Sequence, residues 1–537
     1  MKSNCLRKPN NARAEETLAF LHRAEVNSPS DSARTVLPHP GPLPLGEGTV
    51  FARLHWLKCL RAFRFLPIAR PTADDSPSPS GRGRGEGEPS IQPPRWYSSL
   101  PPQLSLRGSR MRPASLSPLP HLCLLALFSL LLPNHLSALD WPTYQHDYQR
   151  SGLTLESLEL PLTPSWTYQA KAPAPAWTDP PKADYYAAPG TPLKPRLAFD
   201  RAHHVAVVGG RLYFGSSVEH TVNCLNAETG ATNWSFFTDG PVRMTPTVQD
   251  GKVYAGSDDG TVYCLNATNA SLVWKHTPSG TTNYLIANNG NFVSPYAIRS
   301  SVAVDQGIAY FTSGFFPHEG VYLCAVDAAT GARTTASHWQ RRFDGSAALQ
   351  GYILLTATRI FMPGSRSTPF YFDRATGSML GQYTGAMGTY ALLAGNSFFF
   401  GPAARGGGQV TEGGLVGDTI ASYDSGNALV VTATRSYLLG DTTLSALDRS
   451  TRATIWSKGA SYPYTLILAG TTLFAGGENE VAAFDSATGN KTWSRVVNGR
   501  AYGLAVANGC LFVSTDTGCI YSFAQSQSAR QSMWMLY

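Results

Sequence analysis

Cysteine is scarce: eight in 537 residues, no two of them adjacent. No CxxC and no HxxxH spacing occurs, so a zinc site built from thiolates or imidazoles has no basis in the sequence. Walker-type and Ser-His-Asp motifs are missing as well. Long apolar runs are missing too, except "LCLLALFSLLL" (Leu122 to Leu132), which is shorter than the roughly 20 residues that span a bilayer. An excess of one charge is missing from most of the chain. Residues 139–537 carry 26 Lys+Arg against 27 Asp+Glu, so the formal charge of +7 arises upstream. A nucleic-acid partner is therefore not expected.

The upstream part is rich in Pro, Gly, Ser and Arg and has no helical or strand period. Its pieces "PLPLGEG" (Pro42 to Gly48) and "PSPSGRG" (Pro77 to Gly83) can both be encoded by one DNA string read in two frames. Translated repeat DNA behaves that way and selected protein repeats do not. Residues 1–110 are read as an overextended start or a disordered tail. Met111, Arg112, the apolar run and the small Ala138 then form an expected secretory leader over 111–138. A membrane anchor is the alternative reading. The expected mature chain, 139–537, has no transmembrane segment and is exported to the periplasm or beyond the cell, with cleavage near Ala138.

Glycine and aromatics are plentiful there, and they recur. Eight apolar strands centre on Tyr213, Tyr254, Tyr310, Phe361, Phe399, Tyr437, Phe474 and Phe512, with gaps of 41, 56, 51, 38, 38, 37 and 38. Most are followed by a Thr-Gly turn and a Trp-bearing segment, as in "CLNAETGATNW" and "AFDSATGNKTW". Each unit reads as antiparallel hairpins that cannot bury both faces alone. A ring of such units can. The expected fold is all-β: a β-propeller of eight four-stranded blades. The last copy ends at "CIYSFAQ" without an outer strand, and "TPSWTYQA" (Thr163 to Ala170) is an outer strand without inner ones. Pairing the two would complete the last blade and remove two sheet edges. Each Trp is expected to wedge between neighbouring blades. Cys224, Cys264 and Cys324 share one repeat position and read as small apolar residues.

"CAVDAATGA" (Cys324 to Ala332), "FDRATG" (Phe372 to Gly377) and "AFDSATGNKTW" (Ala483 to Trp493) resemble the A-x-D-x-x-T-G-x-x-x-W signature of the pyrroloquinoline-quinone (PQQ) repeat. That family includes the quinoprotein alcohol dehydrogenases and non-catalytic propellers of the BamB type. Asn226 and Asn266 replace the signature Asp, and Ser450-Thr451-Arg452 lacks the Gly. "WPTYQHDYQRSGLT" (Trp141 to Thr154) is similar to the opening of many exported bacterial propellers. For the dehydrogenases the resemblance implies PQQ with Ca²⁺ in a cluster of Glu, Asn and Asp oxygens, beside a vicinal disulfide. This chain has neither adjacent cysteines nor a CxxCH heme site.

Function has to be read from a site. Positions preceding the innermost strands carry Arg201, Arg243, Arg299 and Arg500, with His203, Tyr390 and Tyr502 nearby. They could ring a channel mouth and hold a carboxylate or phosphate. Alternatively each Arg pairs with a neighbouring acid such as Asp200, Asp344 or Asp424. The two longest gaps mark insertions holding Tyr284, Phe292, Tyr296, Trp339 and Arg341, residue types suited to anchoring a partner or to covering blade edges. The expected function is an exported, non-catalytic scaffold that binds a protein, a polysaccharide or a small anion in the cell envelope, with no cofactor. The alternative is a PQQ-dependent dehydrogenase.

Overall fold

A computed structural model describes residues 140–173 and 200–525, except 283, 289–290, 315, 346, 365–366 and 402–408. The expected leader at 111–138 and the low-complexity segment 1–110 lie outside the described residues. The described chain is all-β, and no helix in it is long and apolar enough to cross a membrane.

Six four-stranded antiparallel sheets follow one another along the chain. The first holds Ala206–Val208, Arg211–Ser216, Thr221–Asn226 and Thr232–Phe237, and the second Thr247–Gln249 to Leu272–His276. The third runs from Ala303–Asp305 to Gln340–Phe343, and the fourth from Leu354–Leu355 to Met379–Gln382. The fifth runs from Tyr390–Ala394 to Thr419–Asp424, and the sixth from Ala428–Val431 to Thr454–Gly459. An eight-stranded sheet and a separate two-stranded one, Ile286–Asn288 with Asn291–Val293, contain the rest. The two halves of the eight-stranded sheet share the 17-residue strand Lys491–Ala507. The expected outer strand, Thr163–Gln169, lies antiparallel to Cys519–Ala524 at the end of the second half. This repeated arrangement is that of a β-propeller.

Burial follows strand position. The second and third strands of a sheet, such as "RLYFGS" and "TVNCLN", are buried along nearly their whole length, because neighbouring sheets cover both faces. The outer strand "TNWSFF" is largely exposed. Boundaries between sheets are sealed by the repeated Trp. The indole N–H of Trp274 donates to the Ala328 carbonyl of the next sheet at 3.0 Å. Trp166, Trp234, Trp456 and Trp493 donate in the same way to Ala227, Ala267, Ser486 and Leu162. The turn beneath most of these rings is built by an Asp or Asn side-chain oxygen. Asp327 Oδ1 accepts from the Ala329 and Thr330 amides and the Thr330 hydroxyl. Gly331 follows at φ 70°, where a Cβ would sit 2.6 Å from Trp274. Asn226 and Asn266 preserve the turn because only their side-chain oxygen is needed.

Two boundaries lack the Trp. In the fourth sheet Gly381 occupies its place, and the Tyr371 ring swings over from the adjacent strand to donate to the Val416 carbonyl at 2.8 Å. In the fifth sheet Ala421 occupies it, opposite the buried Glu412. There Arg449 and Arg452 of the sixth sheet reach across to the carboxylate at 2.9 and 3.2 Å.

The segment 141–154 crosses the innermost strands at one end. Trp141 exchanges backbone hydrogen bonds with Val207, and the carbonyls of Pro142, Tyr148, Gln149 and Gly152 accept from Val248, Leu355, Leu393 and Leu468. It thus ties together the first, second, fourth and fifth sheets and one half of the eight-stranded sheet. Arg150 is its buried brace, donating to Thr143, Ser301 and three carbonyls while lying 5.4 Å from the Tyr352 ring centre.

Candidate functional site

The residues expected at the channel mouth fall into two groups. Arg243 and Arg299 are buried and committed to carboxylates. Arg243 donates to Asp258 at 2.7 Å and to Asp200 at 2.6 Å, and Arg299 reaches Asp258 at 3.1 Å. Burial alone would raise the Asp258 carboxyl, but the two guanidiniums reverse this and hold it below its ordinary value. The pairing joins the first three sheets, since Asp200, Arg243 and Arg299 precede their innermost strands. An anion entering here would have to displace Asp258, because these two arginines form an ionic network with Asp200 and Asp258. The pairing of Arg243 with Asp200 is the alternative that the sequence left open.

His203 is also internal. Burial pushes it down to about 4, and Nδ1 lies 3.2 Å from the Gly215 carbonyl, so it is neutral at pH 7 and holds the first sheet. Tyr390 donates to the Leu429 carbonyl and accepts from its amide, both at 2.6 Å, which binds the fifth sheet to the sixth. The second group remains accessible. The Arg201 guanidinium lies 5.4 Å from the Tyr502 ring centre, and Tyr502 packs on Tyr464 at 4.6 Å. Arg500 is half exposed, with Glu478 and Asp516 at 3.7 and 3.9 Å. At those distances in solvent the pairs contribute little.

Sequence reasoning missed the aromatic cluster where the crossing segment meets the residues before the fourth sheet. Tyr144 of the crossing segment stacks on Tyr352 at 3.8 Å, and His204 meets its edge at 5.1 Å. Burial pushes His204 down to about 4, with His203 and Arg201 adding to the effect. Only the resemblance of "WPTYQHDYQR" to other propeller openings signalled that this segment matters.

The insertion residues also divide. Tyr296 and Trp339 are 6% and 4% exposed, so as partner anchors they are corrected to core residues. Tyr296 donates to the Glu319 carbonyl, and Trp339 is the third sheet's wedge, packed where a Cβ on Gly377 would clash. Tyr284 and Phe292 are 46% and 69% exposed, and Leu285 beside them is 55% exposed. They flank or lie on a two-stranded hairpin, Ile286–Asn288 with Asn291–Val293. Asn288 accepts from Arg299, which anchors the hairpin's inner side to the ionic network. Arg341 is exposed on the outer strand of the third sheet, its guanidinium 6.0 Å from the Trp339 ring centre.

The model of the outer membrane protein assembly factor BamB family matches residues 174–306 and 404–532. No curated protein matches the sequence. Among solved structures, BamB from Moraxella catarrhalis is 14% identical, covering 68% of this chain and 100% of its own, with a TM-score of 0.48. The quinohemoprotein alcohol dehydrogenase from Comamonas testosteroni is 14% identical, covering 72% and 81%, with a TM-score of 0.52. A europium-containing methanol dehydrogenase is 10% identical, covering 72% and 98%, with a TM-score of 0.51. At these identities the likeness is one of fold.

Proposed function

From the premise that the chain belongs to the PQQ-repeat propeller family, we propose that it is an exported, non-catalytic scaffold that docks a protein of the cell envelope. The scaffold is an eight-bladed ring, with the strand Thr163–Gln169 completing the last blade. Support for the ring comes from innermost strands that pack on their neighbours, first on second, second on third, and first on the shared strand Lys491–Ala507. The observation that carries the docking role is the hairpin at 286–293. Its inner side is tied to Arg299, while Tyr284, Leu285 and Phe292 turn apolar surface outward. An exposed apolar patch tied to the fold is what a protein interface core requires. The match to an outer-membrane assembly family supports envelope assembly as the setting.

The dehydrogenase reading demands a cradle for PQQ and Ca²⁺. The described rim fits poorly: Asp200 and Asp258 are held by Arg243 and Arg299, and Tyr144 and Tyr352 are stacked on each other. A photo-crosslinker at position 292 should capture one envelope protein in living cells. Changing Tyr284 and Leu285 to Ser should abolish that capture and leave thermal unfolding unchanged. Alcohol turnover by the purified protein with PQQ and Ca²⁺ would overturn the proposal, as would crosslinking that ignores the Ser changes.

A further inference from the structure

A cleft of about 460 Å³ opens between the sixth sheet and the first half of the eight-stranded sheet. Its cause lies in the repeat. Two residues beyond the wedge position, most sheets carry a ring that fills the gap to the next strands. Tyr168 packs on Phe214 at 5.5 Å, Phe236 on Tyr263 at 5.6 Å, His276 on Phe311 at 5.6 Å, and Tyr383 on Phe398 at 5.1 Å. The sixth sheet has Lys458 there, followed by Gly459 where other sheets have Phe237, Thr277 or Val496. A Cβ placed on Gly459 meets no atom within 4 Å. The gap is left unfilled.

What lines it has a definite chemistry. The floor is apolar, with Tyr462 and Phe484 buried and edge-on at 5.5 Å. Two ammonium groups stand at its walls. Lys491 is fixed by Glu480 at 2.8 Å and by the Tyr462 hydroxyl at 2.6 Å. Glu480 has both oxygens occupied, one by Lys491 and one by Tyr462 at 2.7 Å, and these partners hold its carboxyl below the ordinary value against the opposing effect of burial. Lys458 stands on the other wall, exposed, with its stem along Gly489. Two cations and one compensated carboxylate leave the cleft with one positive charge in excess.

We propose that this cleft binds an apolar acid, with a hydrocarbon or aromatic body on Tyr462 and Phe484 and a carboxylate between Lys458 and Lys491. The volume lies within the range of about 300–1,000 Å³ usual for small-ligand sites, and an ammonium–carboxylate bond at an apolar floor fixes orientation. The same chemistry is offered by the carboxyl end of a peptide and by a free organic acid. The site is separate from the hairpin at 286–293 and stands without it.

Calorimetric titration of the full chain with 4-phenylbutyrate tests the idea. Binding should weaken by about tenfold or more with Lys458→Met, and equally when the acid is replaced by its amide. Lys458→Arg should restore binding to within about threefold of the original. Gly459→Phe, which sets a bulky side chain on the bare wall of the cleft, should abolish it. Unchanged binding in Lys458→Met, or unchanged binding in a folded Gly459→Phe protein, overturns the proposal, as does absence of binding to the unaltered chain. A parallel titration with a short peptide ending in Leu-Phe and its C-terminal amide separates the two sources. Tighter binding of the peptide acid assigns the cleft to peptides, and tighter binding of 4-phenylbutyrate assigns it to free acids.

Discussion

The boundary between the second and third sheets and the boundary between the fifth and sixth do the same job with opposite chemistry. At the first, Trp274 lies over Gly331 and donates one hydrogen bond to Ala328. At the second, Ala421 stands in the Trp position and Glu412 receives Ser397, Tyr423, Arg449 and Arg452. A buried aromatic stabilises through the area it removes from water, whatever its neighbours do. A buried carboxylate stabilises only while every partner is present. The fold therefore prescribes that each gap be closed and leaves open how. Tyr371 over Gly381 is a third solution, with a ring borrowed from the adjacent strand.

The largest effect should come from opening the aromatic boundary. Trp274→Ala is expected to destabilise by about 3–5 kcal/mol, since a large buried ring is deleted from a site that cannot collapse. Chemical denaturation measures this, and a loss under about 1 kcal/mol would mean that the ring is peripheral to the seal. Glu412→Leu comes next, at about 3 kcal/mol, because Arg449 and Arg452 lose their shared partner. The second boundary has a signature that the first cannot share. Adding Arg449→Leu to Glu412→Leu should recover part of the loss, whereas a second truncation beside Trp274→Ala should only add to it. Simple additivity at both boundaries would erase the distinction.

Acid should separate the boundaries next. Burial would raise the Glu412 carboxyl, but hydrogen bonds from Tyr423, Ser397 and Arg449, with the Arg449 charge, hold it below its ordinary 4.5. A depressed folded value means stability that is present above 4.5 and disappears as pH falls through the folded value. The stability gap between the unaltered chain and Glu412→Gln should therefore be full at neutral pH and shrink in acid. The gap for Trp274→Ala, with no charge involved, should stay level. A Glu412→Gln gap that is constant across the same range would contradict the ionic seal.

These contrasts also mark what the sequence could and could not convey. Repeat aromatics and Thr-Gly turns are local and regular, so strand order and the pairing of Thr163–Gln169 with the last strand were legible. Trp339 was not, because it stands eight residues after Gly331 where Trp234 and Trp493 stand four after their glycines. That longer spacing made a wedge look like an insertion. The rim arginines were legible as residues, but their fate depended on Asp258, which lies 15 positions after Arg243 and 41 before Arg299. Glu412 pairs with residues 37 and 40 positions on, a separation that no local motif encodes. The outward hairpin was visible as extra length, and only the fold showed which of its aromatics face solvent.

The smallest expected effect lies in the turn beneath the wedge. Gly331 at φ 70° and Ala270 at φ 59° occupy equivalent positions, one under Trp274 and the other one sheet earlier. A left-handed backbone costs an alanine about 1 kcal/mol that glycine avoids, although glycine loses more chain entropy on folding. Ala270→Gly should accordingly raise stability by a few tenths to about 1 kcal/mol. Gly331→Ala carries the strain and adds a Cβ that would lie 2.6 Å from the Trp274 ring, so it should lose more than the reverse change gains. Measuring both in one denaturation series isolates the contribution of the ring. If the two changes prove equal and opposite, backbone strain alone explains the glycine and the Trp exerts no constraint on it.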